Sequence, residues 1–275
     1  MKTELLRRGD MVAYLEEKIS RMAGWSRRLA VFSAVLLIIA GLVHRYALLE
    51  TVAFLCVLAL VAVLATFALL LAFFAFPHVW NDGDRGGGDL TFGAVVGLAV
   101  LAPFLFYGYC AFAYPELNDI STDPEDPPAL TLAAKTRSPG MNPVTPPTAE
   151  QRKLQSEKYP QVTGRRYDLP LDRTLDAVES VLSRTNWKLF GPTAAPDDES
   201  EITIEALAYT WVLAFPVDVS IRLVDEGETT YVDMRSASRY GRHDFGNNAA
   251  RINQFLQDLD AEVATQSGEA PPDSN

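Results

Sequence analysis

The chain has 275 residues, a formal net charge of −11, 48% hydrophobic residues and two cysteines. Its mean hydropathy of +0.05 averages a half crowded with apolar runs and a polar half after Tyr114 in which acidic residues outnumber Lys and Arg. An acidic domain argues against nucleic acid, because phosphate binding needs a basic face. Cys56 and Cys110 both lie in apolar runs, so the polar half holds neither a disulfide nor a Cys-based metal site.

In chain order, Leu5, Val12, Leu15, Ile19 and Met22 recur at near-helical spacing among charges. Two readings stand: an amphipathic helix on the inner leaflet, or a short helix continuing into the first span. The runs Leu29–Val43, Thr51–Phe76 and Leu90–Ala113 are almost free of charge, and a bilayer core takes about 20 apolar helical residues. With Trp25 and Tyr46 as interfacial anchors, spans are expected at 26–47, 50–76 and 90–113. Arg27, Arg28 and Arg45 can snorkel at the ends of the first. Pro77 and the polar loop Asn81–Gly88 are expected to separate the second from the third. No small-x-small cleavage site follows the first run, so an uncleaved anchor is preferred to a signal peptide.

Seven Lys and Arg residues, Lys2 through Arg28, precede the first apolar run, and Arg85 lies between the second and third. Only Arg45 lies between the first two runs, and none follows the third until Lys135. The positive-inside rule puts the N-terminus in the cytoplasm and, for a bacterial inner membrane, the C-terminal domain in the periplasm. Gly93 and Gly97 form a small-xxx-small pair suited to close helix packing. Pro103 should kink the third helix. No acidic, Lys or Arg residue lies mid-span, so nothing points to an ion path.

Residues 114–264 read as a soluble α+β domain with an antiparallel sheet packed by two helices, followed by a disordered tail at 265–275. Eight prolines from Pro115 to Pro147 argue against helix there, leaving a flexible spacer or a strap on the domain. Leu171–Arg184 reads as a capped amphipathic helix, and Trp187–Phe190 as a short strand. Glu201–Ala208 and Val217–Val224 alternate, with Ile202, Ile204, Val219 and Ile221 inward, and Asp225–Glu228 reads as a hairpin loop into Thr229–Ser236. Thr203, Glu205, Ser220 and Arg222 fall on the opposite face, expected to be solvated. A last helix follows Gly246, carrying Ile252, Phe255, Leu256 and Leu259.

The densest polar constellation is Arg235–Asn248, with Arg251 one turn on. Arginines beside a glycine-punctuated helix start can hold an anion. They can equally pair with acidic residues of the leading segment, while Asp244 or Asn247 caps the helix. Ser238, His243 and Asp244 lack a nucleophile elbow. His44, His78 and His243 are scattered, and Asp119, Asp123 and Asp126 lack calcium-loop spacing. No metal or cofactor is expected.

The stretch Asn118–Leu130, NDISTDPEDPPAL, resembles the opening signature of the DUF1499 family, and Arg235–Ile252 resembles its closing one. The matching positions are Asp119, Thr122, Asp123, Pro127, Pro128, Arg235, Ser238, Arg239, Gly241, Asp244, Gly246, Asn247 and Arg251. The resemblance implies a domain of uncharacterised function, brings no catalytic residues with it, and places Asn118–Leu130 within the folded domain. The expected role is an envelope module binding an anionic small molecule or a protein partner. The candidate ligand residues are Asp119, Asp123, Arg235, Ser238, Arg239, Arg242, Asp244, Asn247 and Arg251. An enzyme using the Arg/Asp cleft and a structural subunit of a membrane assembly are the alternatives.

Overall fold

The computed structural model describes residues 18–195 and 198–267. Of the amphipathic N-terminal segment only Ile19 and Met22 fall within it, and the tail beyond 267 lies outside. The chain divides into two compact units, one made of residues 1–42 and 53–104, the other of 43–52 and 105–275.

Three helices, each long and apolar enough to cross a membrane, dominate the first unit: α1 (Arg21–Arg45), α2 (Thr51–Asn81) and α3 (Gly87–Ala113). Contrary to expectation, Pro77 does not end α2, which continues to Asn81. A proline near a helix terminus removes one hydrogen bond but leaves the following residues free to complete the last turn. Helix α3 likewise runs through Pro103. The glycine pair serves packing within the chain. A Cβ on Gly93 would lie 2.4 Å from Ser26 Oγ and 2.8 Å from the Arg27 nitrogen, and one on Gly97 2.9 Å from Leu69 Cδ2. So Gly93 admits α1 and Gly97 admits α2, with Ser26 Oγ donating to Ala68 O at 2.8 Å. Arg27 pairs with Asp89 at 2.8 Å, and the backbone of Lys18 and Ser20 bonds Arg85 in the α2–α3 loop.

In the second unit the α+β domain is built on an antiparallel sheet of six strands: β1 (Asp119–Ser121), β2 (Arg165–Tyr167), β3 (Lys188–Ala195), β4 (Asp198–Tyr209), β5 (Pro216–Asp225) and β6 (Thr230–Ser238). The order is β1-β6-β5-β4-β3, and β2 also pairs with β6, beyond β1 on the same edge. Side chains alternate between the faces of a strand. The phase that carries Ile204, Val219, Ile221, Leu223, Val232 and Met234 is buried beneath two helices, α6 (Leu171–Ser183) and α7 (Asn247–Ser267). These contribute Val178, Val181, Ile252, Phe255, Leu256 and Leu259, and Trp187 stacks on Phe255 at 5.7 Å. Each such side chain contributes about 1.5–3 kcal/mol on burial.

The other face corrects the sequence reading. Glu205, Asp218, Ser220 and Asp233 are fully buried and Arg235 nearly so, because residues 122–147, which follow β1, lie across them as a strap. The prolines do not keep this segment free of helix either. The proline-free stretch Thr131–Thr136 forms a short helix, α4, and its first turn is capped from the sheet. Glu205 Oε1 accepts from the nitrogens of Thr131 and Leu132 (both 2.9 Å) and from Thr131 Oγ1 (2.7 Å), and Oε2 from the Ala133 nitrogen (2.8 Å). A carboxylate satisfies the orphan N–H groups and opposes the helix dipole at once. A further helix, α5 (Ala149–Lys158), starts with a Thr148/Gln151 capping box. From it Gln155 donates to Ser121 O (2.6 Å) and accepts from the Ser121 nitrogen (3.3 Å). The free edge of β1 is thereby capped at Ser121.

Candidate functional site

The polar face owes its geometry to strand register. Glu205 lies opposite Ser220, Ser220 opposite Arg235 and Arg235 opposite Ser121; one rung on, Asp218 lies opposite Ala237 and Ala237 opposite Asp119. Polar residues at alternate positions of four adjacent strands thus form one patch. Arg222 and Asp233 are direct cross-strand partners, a spacing at which opposite charges attract. Arg222 donates from Nε (3.1 Å) and Nη2 (2.6 Å) to the two oxygens of Asp233. Its Nη1 reaches Asp126 of the strap at 2.8 Å.

Two further guanidinium groups close on Asp218. Arg239 donates from Nε (2.9 Å) and Nη2 (2.6 Å) to Oδ1, and Arg137 of the strap donates from Nε to Oδ2 at 2.8 Å. Arg239 also reaches Thr136 Oγ1 (2.7 Å), and Arg137 reaches Asn142 O (2.6 Å). Arg235 forks onto both oxygens of Asp119, at 3.0 and 2.7 Å, and touches Pro128 O and Thr145 O, each at 3.3 Å. Ser220 Oγ donates to Ala129 O at 2.7 Å. The strap is therefore riveted to the sheet by charge-assisted bonds, roughly twice as strong as neutral ones. Burial pushes the Asp233 carboxyl above its ordinary range, against the pull of Arg222.

Of the nine candidate ligand residues, Asp119, Arg235 and Arg239 sit in this riveted patch. Asp123 shapes the strap locally, accepting from the nitrogens of Glu125 and Asp126, both at 3.0 Å. Asp244, Ser238, Asn247 and Arg251 gather instead at the start of α7. Phe245 and Gly246 turn the chain with φ of 54° and 80°, a region that favours glycine. A Cβ on Gly246 would also lie 2.8 Å from Tyr114 Cε1. Asp244 caps the helix, accepting from the nitrogens of Gly246 (3.0 Å) and Asn248 (2.8 Å), and Asn247 Nδ2 donates to its carbonyl. Burial raises the Asp244 carboxyl, while those N–H groups and Arg251 oppose the rise. Asn248 joins Ser236, Ser238, Asn118 and Arg251. Arg242 stands apart, exposed and paired with Glu116.

Partly buried, Arg251 differs from the buried Arg235 and Arg239. Its Nη1 donates to Ser236 Oγ and Asn248 Oδ1, both at 3.0 Å, and it forms no ion pair among the described residues. Burial brings its guanidinium down to about 10, so it stays charged at neutral pH. Nearby in the field of Asp244, Tyr159 is pushed up to about 12 by burial. Tyr159 Oη and His243 Nδ1 are buried with no hydrogen-bond partner among the described residues.

The model of the family described as "Protein of unknown function (DUF1499)" matches residues 119–259. The chain belongs to the DUF1499 family. The matched stretch begins on the first residue of β1 and ends at Leu259, a fully buried residue of α7. The DUF1499 domain thus includes the strap as well as the sheet. No curated protein and no solved structure matches the chain.

Sequence reasoning named Arg235, Arg239 and Asp119 but missed Glu205, Asp218, Asp233, Arg137 and Arg222. The missed signal was the phase itself. Asp218, Ser220 and Arg222 alternate with Val217, Val219, Ile221 and Leu223 in one strand. A central strand with acid, hydroxyl and base on one face, flanked by strands bearing complementary charges, has partners ready within the sheet. Among the described residues no three His, Cys, Asp or Glu side chains gather as a metal site. Two hollows of about 580 and 400 Å³ are lined by residues of the membrane helices, such as Arg27 and Phe32, or Trp25 and Phe67. Neither is lined by the constellation.

Proposed function

We propose that this DUF1499 protein is a non-enzymatic, membrane-anchored envelope module whose α+β domain faces away from the cytoplasm and docks a protein partner. The orientation rests on the Lys and Arg excess before α1 against its near absence after α3. One observation carries the preference for a protein partner over an anionic small molecule. The guanidinium groups best placed to grip an anion, Arg235 and Arg239, are each forked onto a carboxylate of the domain itself. An incoming anion would have to displace Asp119 from Arg235, or compete for Arg239 against the fully buried charge of Asp218, and like charges at such a distance repel. The signature then serves as a latch between strap and sheet.

A second reading, an anionic ligand or an enzyme site, draws on Arg251 together with Tyr159 Oη and His243 Nδ1. Native mass spectrometry of the full chain released from its membrane, with Arg239→Ala and Arg251→Leu alongside, separates the two. The latch reading expects Arg239→Ala to lower stability without any change in retained small molecules. A co-purified anion lost in Arg251→Leu, with the fold intact, would decide for the ligand. A periplasm-dependent reporter fused after Glu262 tests the orientation, which activity in the cytoplasmic format alone would overturn.

A further inference from the structure

The turn joining β4 to β5, residues Thr210–Phe215, has the sequence TWVLAF and carries no charge. Hairpin tips facing water are ordinarily polar, since Gly, Asn, Asp and Ser suit both the turn and the solvent. Here Trp211 is 87% exposed and Val212 56%. The turn is well made: the Thr210 nitrogen donates to Phe215 O (2.9 Å), the Ala214 nitrogen to Thr210 O (3.0 Å), and the Phe215 nitrogen to Thr210 Oγ1 (2.9 Å). Ala214 takes a φ of 54° to close it.

The carbonyls at this tip are taken by the last turn of α1, which belongs to the same compact unit. Arg45 Nη1 donates to Trp211 O at 2.7 Å and lies 3.4 Å from Val212 O. His44 Nδ1 is hydrogen-bonded to Leu213 O at 2.8 Å, and its ring lies 5.4 Å from that of Phe215. His44 and Arg45 end a helix long and apolar enough to cross a bilayer, and a spanning helix leaves the hydrocarbon at such a basic, aromatic-flanked end. Chain continuity therefore places the turn that Arg45 holds at headgroup depth. Tyr46, Tyr109 and Phe112, at the ends of α1 and α3 within the same unit, are also largely exposed. Trp and Tyr favour this depth because one end of the ring is apolar and the other can hydrogen-bond.

We infer that the β4–β5 turn is a membrane-dipping element: Trp211 and Val212 enter the lipid interface beside the end of α1, while Arg45 and His44 satisfy the carbonyls behind them. Such satisfaction matters there, because a bare carbonyl near the acyl chains has no water to bond. The sheet would then hold the bilayer through β4 and β5 as well as through its covalent tether. The inference holds whichever side of the membrane the domain faces, so it does not stand or fall with the proposed orientation.

The test uses the full chain in vesicles of phosphatidylethanolamine and phosphatidylglycerol. The difference in fluorescence between the wild type and Trp211→Phe isolates Trp211 from the other tryptophans. That component should be blue-shifted, should lose most of its intensity to a lipid nitroxide near the headgroups, and should lose little to aqueous iodide. Quenching by iodide with none by the lipid nitroxide would overturn the inference. So would protection from both quenchers, which would mean that a second copy or another protein covers the turn. Fluorine NMR of the unaltered chain, labelled with fluorotryptophan and exposed to the same quenchers, gives the same reading if Trp211→Phe does not fold.

Discussion

The two faces of the DUF1499 sheet are both buried, by opposite chemistry. Under α6 and α7 lie Val219, Ile221, Leu223 and Met234, held by apolar burial that has no directional demand. Under the strap lie Glu205, Asp218, Arg235 and Asp233, where each charge needs a partner in a fixed place. Each face therefore specifies something different. The apolar face tolerates shape-conserving exchange. The polar face dictates where the strap runs, because Asp119, Asp126, Arg137 and the first turn of α4 each have one seat. The desolvation cost of so many buried charges means that the polar face need not add net stability.

The two faces differ most at Asp218. Asp218→Ala leaves Arg137 and Arg239 buried without their shared acid and should cost about 3–5 kcal/mol, seen as a lowered denaturation midpoint of the full chain. Ile221→Ala, its neighbour on the apolar face, should cost about 2–5 kcal/mol through transfer and cavity terms, while leaving the strap as protected from exchange as before. Similar losses with different patterns of exposure would separate the two chemistries; an Asp218→Ala cost below about 1 kcal/mol would break the comparison, since it would equal that of an exposed pair. Such an exposed pair is available on the same strap. Asp126 is largely exposed at its contact with Arg222, so Asp126→Ala should cost no more than about 1 kcal/mol and less in high salt.

Buried titratable groups lie on both faces. Tyr159 is raised to about 12 by burial, and Tyr167, bonded through its hydroxyl to Asp260 at 2.7 Å, is raised as well. For both, the folded state favours the neutral ring. Their contribution is complete below about pH 10, the free value, and is lost as pH climbs through the raised folded values. Tyr167→Phe should flatten this alkaline loss in a pH series of thermal midpoints. Asp233 is also raised, so its contribution falls as pH rises through the carboxylate range, and mild acid should not unfold the polar face through this residue. The smallest effect is expected at Tyr159 itself at neutral pH. Tyr159→Phe removes a buried hydroxyl that has no partner among the described residues and should leave stability unchanged or raise it by about 1 kcal/mol.

Much of the apolar face was legible in the residue order. Periodicity at Ile204, Val219 and Ile221 and at Val178, Ile252 and Leu256 fixes which residues share a stripe, and stripes must be covered. The three spans were legible from their uninterrupted apolar runs. The polar face was not, because alternation reports which residues lie together and is silent on what lies over them. Glu205, Ser220 and Arg222 read as solvent-facing on charge alone. Their cover comes from distant chain: Arg137 meets Asp218 across 81 positions and Asp119 meets Arg235 across 116. Helix α4 was hidden likewise, since Leu130 at its N-cap position makes no side-chain cap and the cap comes from Glu205 instead. The closing signature was visible as a dense run of arginines, yet the acid that Arg239 grips lies in β5, outside either signature.

The claim that the DUF1499 signature latches the strap is tested most directly by amide hydrogen exchange of the full chain carrying Arg239→Ala. Protection should fall across Leu132–Asn142, where α4 and Asn142 hold the strap down, while amides of α6 and α7 keep theirs. Unchanged protection of Leu132–Asn142, in a variant that otherwise folds as the wild type, would contradict the latch and favour a ligand-binding role for the arginines.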